Sequence, residues 1–404
     1  MIPQVKLSRE LGLGLLLFYG LGNIVGAGIY VLVGKVAGLA GYLSLLSFIV
    51  ACVIALFTAL SYAELASRYP VSAAEAVYMQ EGIGNKFLSI AVGFMIILAG
   101  LLSAAVIAQG FVGYLNQFIE INASLAIILL IFILTIISII GIKQSVVVAT
   151  VFTVIGLFGL LFIIFLGFDN ILHPSVPYVQ FSPTLSFTDI NVIFLGSFLA
   201  FYAFIGFEDM VNVAEEVTEP KKIFPLAIIL ALAISTLLYI LIVLVALQTL
   251  SLQALEDSTA PFADMYKSLT GKDPILISII GIFAIVNGAL IQLIMASRMV
   301  YGMAKNTWLP SFFTQVSAKT KTPIRASVVV ALITIGFSLF LDIVSLASLT
   351  SMLILIIFTL VNITLILIKS KKIAPKGIMQ VPIWVPYCGV VLNLVLISMK
   401  LFFA

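Results

Sequence analysis

The sequence predicts an all-α membrane protein whose first and sixth helices are interrupted inside the bilayer. Three observations carry this. Hydrophobic residues fill 63% of the 404 positions and charged residues only 9%, where a soluble domain has roughly 25% charged. The apolar stretches are long enough to cross about 30 Å of hydrocarbon as helices, and they lack the alternation of an outer-membrane barrel. Two of them are punctured by glycine-containing segments, Gly22-Asn23-Ile24-Val25-Gly26-Ala27-Gly28 and Phe204-Ile205-Gly206-Phe207-Glu208-Asp209. Lipid cannot pair a freed backbone N–H or C=O, so a helix broken at membrane depth must line a protein-walled cavity.

Eleven spans are expected, near 11–37, 42–67, 87–115, 122–141, 144–168, 190–214, 223–250, 274–303, 326–341, 344–368 and 380–402. The first follows a short leader with no small-residue cleavage site, so it reads as a retained helix and not a signal peptide. With the N-terminus in the cytoplasm, sixteen Lys and Arg fall inside. Lys35, Lys267, Lys272 and Lys400 fall outside, completing the 20 in the chain. That asymmetry obeys the positive-inside rule, and a missed span would have scrambled it. A multi-pass plasma-membrane protein is expected, with its C-terminus outside. No soluble domain interrupts residues 1–404. Among the loops, 251–273 reads either as a short helical lid on the outer face or as an ordinary connector.

Spans one to five (11–168) and six to ten (190–369) can be overlaid. Each set opens with a broken helix, and an odd number of crossings inverts the second set. Residues 379–404 form an extra helix outside the repeat. Two breaks at matching places point to a transporter binding site. The helix resuming after Gly28 offers free N–H groups and a positive dipole end, which suit a carboxylate. The half-helix ending near Asn23 and Ile24 offers carbonyls, as do Tyr202, Ala203 and Ile205 at the second break. A zwitterionic α-amino acid fits these opposite poles. Close helix packing is the competing explanation for Gly26 and Gly28 taken alone.

Glu208 lies at a depth where an ionised carboxyl is costly. It reads as a proton carrier or gate, with a capping role as the alternative. Asp209 reads as a cap of the resumed half-helix. Tyr202, Phe204 and Phe207 are candidates for an aromatic gate. Glu215, Glu216, Glu219, Lys221 and Lys222 read as a solvated face; the alternative pairs one glutamate with Arg298 in an inner gate. Gln109, Asn287, Gln292 and Asn362 read as interhelical hydrogen-bonders. His173 reads as a solvated loop residue, and Cys52 and Cys388 as small core residues. No nucleotide fingerprint, metal cluster or nucleophile–base pair is present, so neither an enzyme nor a nucleic-acid binder is expected.

Gly22 to Tyr30, Leu60-Ser61-Tyr62-Ala63-Glu64-Leu65-Ala66, Pro70-Val71-Ser72, Phe201 to Glu208, Ala214-Glu215-Glu216-Val217, Pro220, Ser297-Arg298, Tyr301, Met303-Ala304 and Leu309-Pro310 together resemble the amino acid–polyamine–organocation transporters. The nearest branch is that of the cationic amino acid transporters and their broad-specificity prokaryotic relatives. The resemblance implies the five-plus-five, leucine-transporter-like fold and alternating access. It implies a substrate carboxylate on the amides of Gly26, Ala27 and Gly28, and an ammonium on the carbonyls of Ile24, Tyr202 and Ile205. By looser alignment it implies a side-chain pocket at Ala99, Gly100 and Ala104. No counter-ion for a basic side chain is visible in that pocket, so a small or apolar amino acid is expected.

Three departures from the family stand out. The chain has eleven spans where many members have twelve. Ala73-Ala74 replaces a Gly-Gly pair. Gly156 stands where some proton-coupled relatives carry a lysine, while Ala289 to Gln292 lacks the Ser/Thr cluster sodium would want. No cofactor or sodium site is expected, and Glu208 inherits proton coupling by elimination. The expected function is a secondary amino acid permease in a lipid bilayer. The rivals are a polyamine or amine permease, an uncoupled exchanger and a non-transporting sensor.

Overall fold

The protein is described by a computed structural model covering residues 11–71, 74–140, 143–184, 186–305, 307–317, 320, 322–371 and 375–403. Lys6, Arg9, Ala73, Lys319, Lys321 and Lys372 lie outside the described residues. So do the side chains of Ala27, Ile140, residues 143–148, Asn212, Val213, Glu215, Glu216 and Phe403.

Helices α1 (Leu13–Ile24) and α2 (Ala27–Ala40) make the first rod, and α3 (Ser44–Arg68) the second. A short α4 (Ala74–Gly82) lies between the second and third rods. It is followed by α5 (Lys86–Leu115), α6 (Ala123–Ile140) and α7 (Lys143–Leu172). The sixth rod is α8 (Phe187–Ala200), continued by 3-10 turns at Phe201–Phe204 and Glu208–Glu216. Then come α9 (Pro220–Thr249), the short α10 (Leu252–Asp257) and α11 (Pro261–Thr270), α12 (Ile275–Lys305), α13 (Ile324–Phe340), α14 (Ile343–Lys371) and α15 (Trp384–Phe403).

Eight described segments are long and apolar enough to cross a bilayer. The first, Leu13–Arg68, holds two rods, and Ala123–Ile139 and Ile324–Phe340 are shorter apolar helices. Counted as rods among the described residues they number eleven, as many as the spans the sequence predicts. Local chemistry sets several ends. The Asn85 side chain accepts from the amides of Phe87 and Leu88 to start α5, an N-cap that satisfies otherwise orphaned donors. Gly271, left-handed at φ +68°, closes α11. On α6, Leu125, Phe132 and Ile133 are exposed, as a lipid-facing stripe should be.

Inside the bundle α5 packs along α12 and α3 along α9. Several polar side chains inside the bundle join rods, as expected from sequence for Asn362, Gln109 and Asn287. Asn362 donates to Thr58 Oγ1 at 2.9 Å and accepts from Ser61 at 2.6 Å. Gln109 donates to the carbonyls of Ser338 and Leu341. Asn287 reaches the Ala149 carbonyl and Thr153 Oγ1, both at 3.4 Å. Each bond spares a polar group from facing hydrocarbon unpaired.

On the face where the chain enters, Glu64 is fully buried and collects three partners. Arg68 reaches Oε1 at 2.6 Å, Lys369 reaches Oε2 at 2.7 Å, and the Val381 amide donates to Oε2 at 2.8 Å. One carboxylate thus ties α3, α14 and the approach to α15.

The breaks differ from expectation in two ways. The first occupies only Val25 and Gly26, whose ψ angles of 82° and −140° leave the helical range. Gly22 and Asn23 remain in α1, and Gly28 is already inside α2. In the sixth rod the chain resumes after Gly206 as a nine-residue 3-10 helix, not an α-helix. So long a 3-10 run is uncommon and marks a hinge or a strained segment. Residues 251–273 are helical, in α10 and α11, and pack on α2. His173 is exposed but pairs with Asp169 at 3.1 Å, a partner four residues upstream that the sequence reading missed. Cys52 and Cys388 are free and half-buried.

Candidate substrate site

The two breaks touch each other. Asn23 Nδ2 donates to the Gly206 carbonyl at 3.0 Å and to Asp209 Oδ2 at 2.6 Å. Gln292 on α12 donates to the same carboxylate oxygen at 3.1 Å. Gly206 sits at φ +133°, and a Cβ there would lie 2.8 Å from the Asn23 carbonyl carbon. Only glycine satisfies both the backbone angle and the contact. At Gly28 a Cβ would overlap the Ala203 backbone, so here too the interrupted rods pack closely.

Beside the crossing is a cavity of about 340 Å³. The first rod contributes Asn23, Ile24, Gly26 and Gly28, and the sixth contributes Tyr202 and Ile205. Ser103 and Ile107 come from α5, and Gly288 and Gln292 from α12. The amides of Ala27 and Gly28 belong to the first turn of α2 and have no partner within the helix. They aim the positive end of the dipole at the break. Gly26 leaves open space, its nearest neighbours 4.0 Å from an added Cβ. Its own N–H is already given to the Ile24 carbonyl at 3.0 Å.

That same Ile24 oxygen accepts from Tyr239 at 2.7 Å. With two donors on its two lone pairs, it is saturated. The Ile24 carbonyl and the Gly26 amide, expected to meet an ammonium and a carboxylate, thus carry internal bonds in this structure. The Tyr202 carbonyl accepts one long bond, 3.3 Å, from the Ile205 amide. The Tyr202 hydroxyl lies 2.8 Å from Ser103 Oγ, fastening the sixth rod to α5.

A second chamber of about 350 Å³ adjoins the first and shares Ser103, Ile205 and Gln292 with it. Ala99 and Gly100 line this chamber, not the cavity at the breaks. So do Glu208, Asp209, Tyr62 and Glu75. The expectation of a pocket without acidic groups is thereby corrected: three carboxyl groups face it. The misreading arose because two acids come from the sixth rod and one from α4, not from the third span.

Four described residues picked for the site or its gate fall outside both hollows, among them Phe204, which packs against Phe48 and Tyr239. Ala203 is packed against Gly28, Ala104 is buried on α5, and Phe207 sits in an aromatic cluster with Tyr62 and Phe358. Glu208 lines the chamber and also makes the local backbone contact given as its alternative, while Asp209, read as a cap, bonds across the bundle. Glu208 accepts from the Gly206 amide at 2.8 Å, as a cap would, and Asp209 crosses to Asn23 and Gln292. Gly156 gives its carbonyl to the Tyr30 hydroxyl at 2.6 Å.

Glu75 escaped the sequence reading because α4 is too short and polar to register as a span. A signal was present. Glu75, Tyr78, Met79 and Gly82 recur at three- and four-residue intervals, one helix face, and all four are buried. Ser103 was legible by the same rule, four residues after Ala99.

A family profile described as "Amino acid permease" matches residues 11–404. The chain belongs to that family. The permease is 28% identical over 402 residues to the methylthioribose transporter of Bacillus subtilis (strain 168), covering 93% of this chain and 85% of the relative. It is 26% identical to the branched-chain amino acid permease BcaP of the same organism, with coverages of 91% and 83%. It is 28% identical to the vacuolar cationic amino acid transporter 2 of Arabidopsis thaliana, over 90% of this chain but only 60% of that protein's length. The permease is thus an all-α, multi-pass membrane protein whose relatives are transporters.

Proposed function

We propose that this permease carries a small or apolar α-amino acid across the plasma membrane by proton-coupled alternating access. The observation that carries the reading is the cavity at the crossing of two interrupted rods. The Ala27 and Gly28 amides offer it a carboxylate site. The carbonyls of Tyr202 and Ile205 offer an ammonium site, and Ile107, Ile205 and Gly288 leave an apolar wall for a small side chain. Residues 11–168 and 190–369 act as inverted halves that rock about the breaks, with the N-terminus cytoplasmic. Glu208 carries the proton.

The acidic chamber favours one competing cargo, a molecule with a second ammonium, such as a diamino acid or polyamine. The relatives' names differ in cargo, so the hollow's chemistry has to choose. A competition screen in proteoliposomes, run with and without proton or sodium gradients, tests the reading. Accumulation of a small neutral amino acid driven by a proton gradient is expected, with putrescine inert. Binding without accumulation would make the protein a sensor. Glu208→Gln should weaken gradient-driven uptake more than counterflow, and equal loss in both would remove Glu208 from coupling.

A further inference from the structure

The acidic chamber holds a carboxyl group that the transport reading does not use. Glu75 lies on α4, between the second and third rods and outside the spanning segments. It is 2% exposed, and its Oε1 takes a long 3.4 Å bond from the Tyr62 hydroxyl. Its Oε2 has no hydrogen-bond partner among the described residues, and neither does Gln292 Oε1, which faces the same space.

The groups around Glu75 offer no compensating positive charge. Tyr62 approaches from α3, Glu208 and Asp209 from the sixth rod, and Tyr78 from α4 itself. From α14, Lys371 is bound to the Gly82 carbonyl, at the end of α4 away from Glu75. No Lys, Arg or His is among the described residues lining the chamber. Three carboxyl groups sharing one buried hollow cannot all ionise, because like charges in low dielectric repel strongly. At least one keeps a proton.

We propose that Glu75 is a third proton-binding carboxyl of the transport cycle, the one through which the proton passes between the Glu208–Asp209 pair and the loop face bearing α4. The O–H bond on Glu208 or Asp209 breaks, a new one forms on the free oxygen of Glu75, and Glu75 then yields its proton to water on that face. Desolvation, reinforced by Asp209, pushes the Glu75 carboxyl up to about 7, where a proton can be both taken and released. This inference rests on the proton-coupled reading above.

The test uses the full-length protein in proteoliposomes, a mixture of the common L-amino acids as the probe, and a pH dye sealed in the lumen. For wild type, adding the mixture should drive proton entry. For Glu75→Gln, proton entry and gradient-driven accumulation should fall at least tenfold, with counterflow reduced no more than threefold. Glu75→Asp should recover part of the coupled signal. Wild type that moves no protons would overturn the coupling reading and this proposal together. Proton entry by Glu75→Gln equal to wild type would overturn the proposal alone. Equal loss of coupling and counterflow would make Glu75 structural. Altered putrescine competition with coupling intact would make the chamber a cargo subsite.

Discussion

Gly26 and Gly206 mark the two breaks for different reasons, and that difference can be measured. Gly206 has positive φ and touches the end of α1, whereas Gly26 faces open cavity. Gly206→Ala should cost about 1–3 kcal/mol, visible as a lower thermal midpoint in detergent. Gly26→Ala should leave the midpoint unchanged, and Gly26→Leu should fold but abolish uptake by filling the cavity. Glu75 gives a pH signature. Its folded-state value of about 7 exceeds the ordinary 4.5, so the folded protein holds a proton that the unfolded chain has lost. Its contribution is greatest below pH 4.5 and is lost as pH rises toward and past 7. Thermal midpoints of Glu75→Gln should therefore fall less over that range than those of wild type. Glycines, and acids at membrane depth, were legible in the sequence because each is costly there. The saturation of the Ile24 oxygen was not, since its donor Tyr239 lies 215 residues away.

At the scale of elements, the rods were readable from length and apolarity, and their ends fall within a few residues of expectation. The character of the breaks was not. Nothing in the sequence from Glu208 to Glu216 distinguishes a 3-10 from an α-helix. Amide hydrogen exchange should be faster over Phe201–Glu216 than over the membrane-buried part of α9. Equal protection would argue against a hinge. The Glu64 cluster joins three elements at one face. Glu64→Ala strands the buried Arg68 and the largely buried Lys369, a change that costs about 3–5 kcal/mol when one partner of a buried pair is removed. Retained thermal stability in that variant would show that the cluster adds little.

For the molecule as a whole, the number of rods was legible in the sequence, while the juxtaposition of α4 with the sixth rod needed three dimensions. The result is a bundle with freed backbone groups at one crossing and three acidic side chains, Glu75, Glu208 and Asp209, in the next chamber. A cryo-EM map of the protein with its transported amino acid bound addresses that arrangement most directly. The ligand should lie between Val25–Gly28 and Tyr202–Gly206, its carboxylate within hydrogen-bond reach of the Ala27 and Gly28 amides. Ligand density elsewhere, with this hollow empty or closed, would contradict the account.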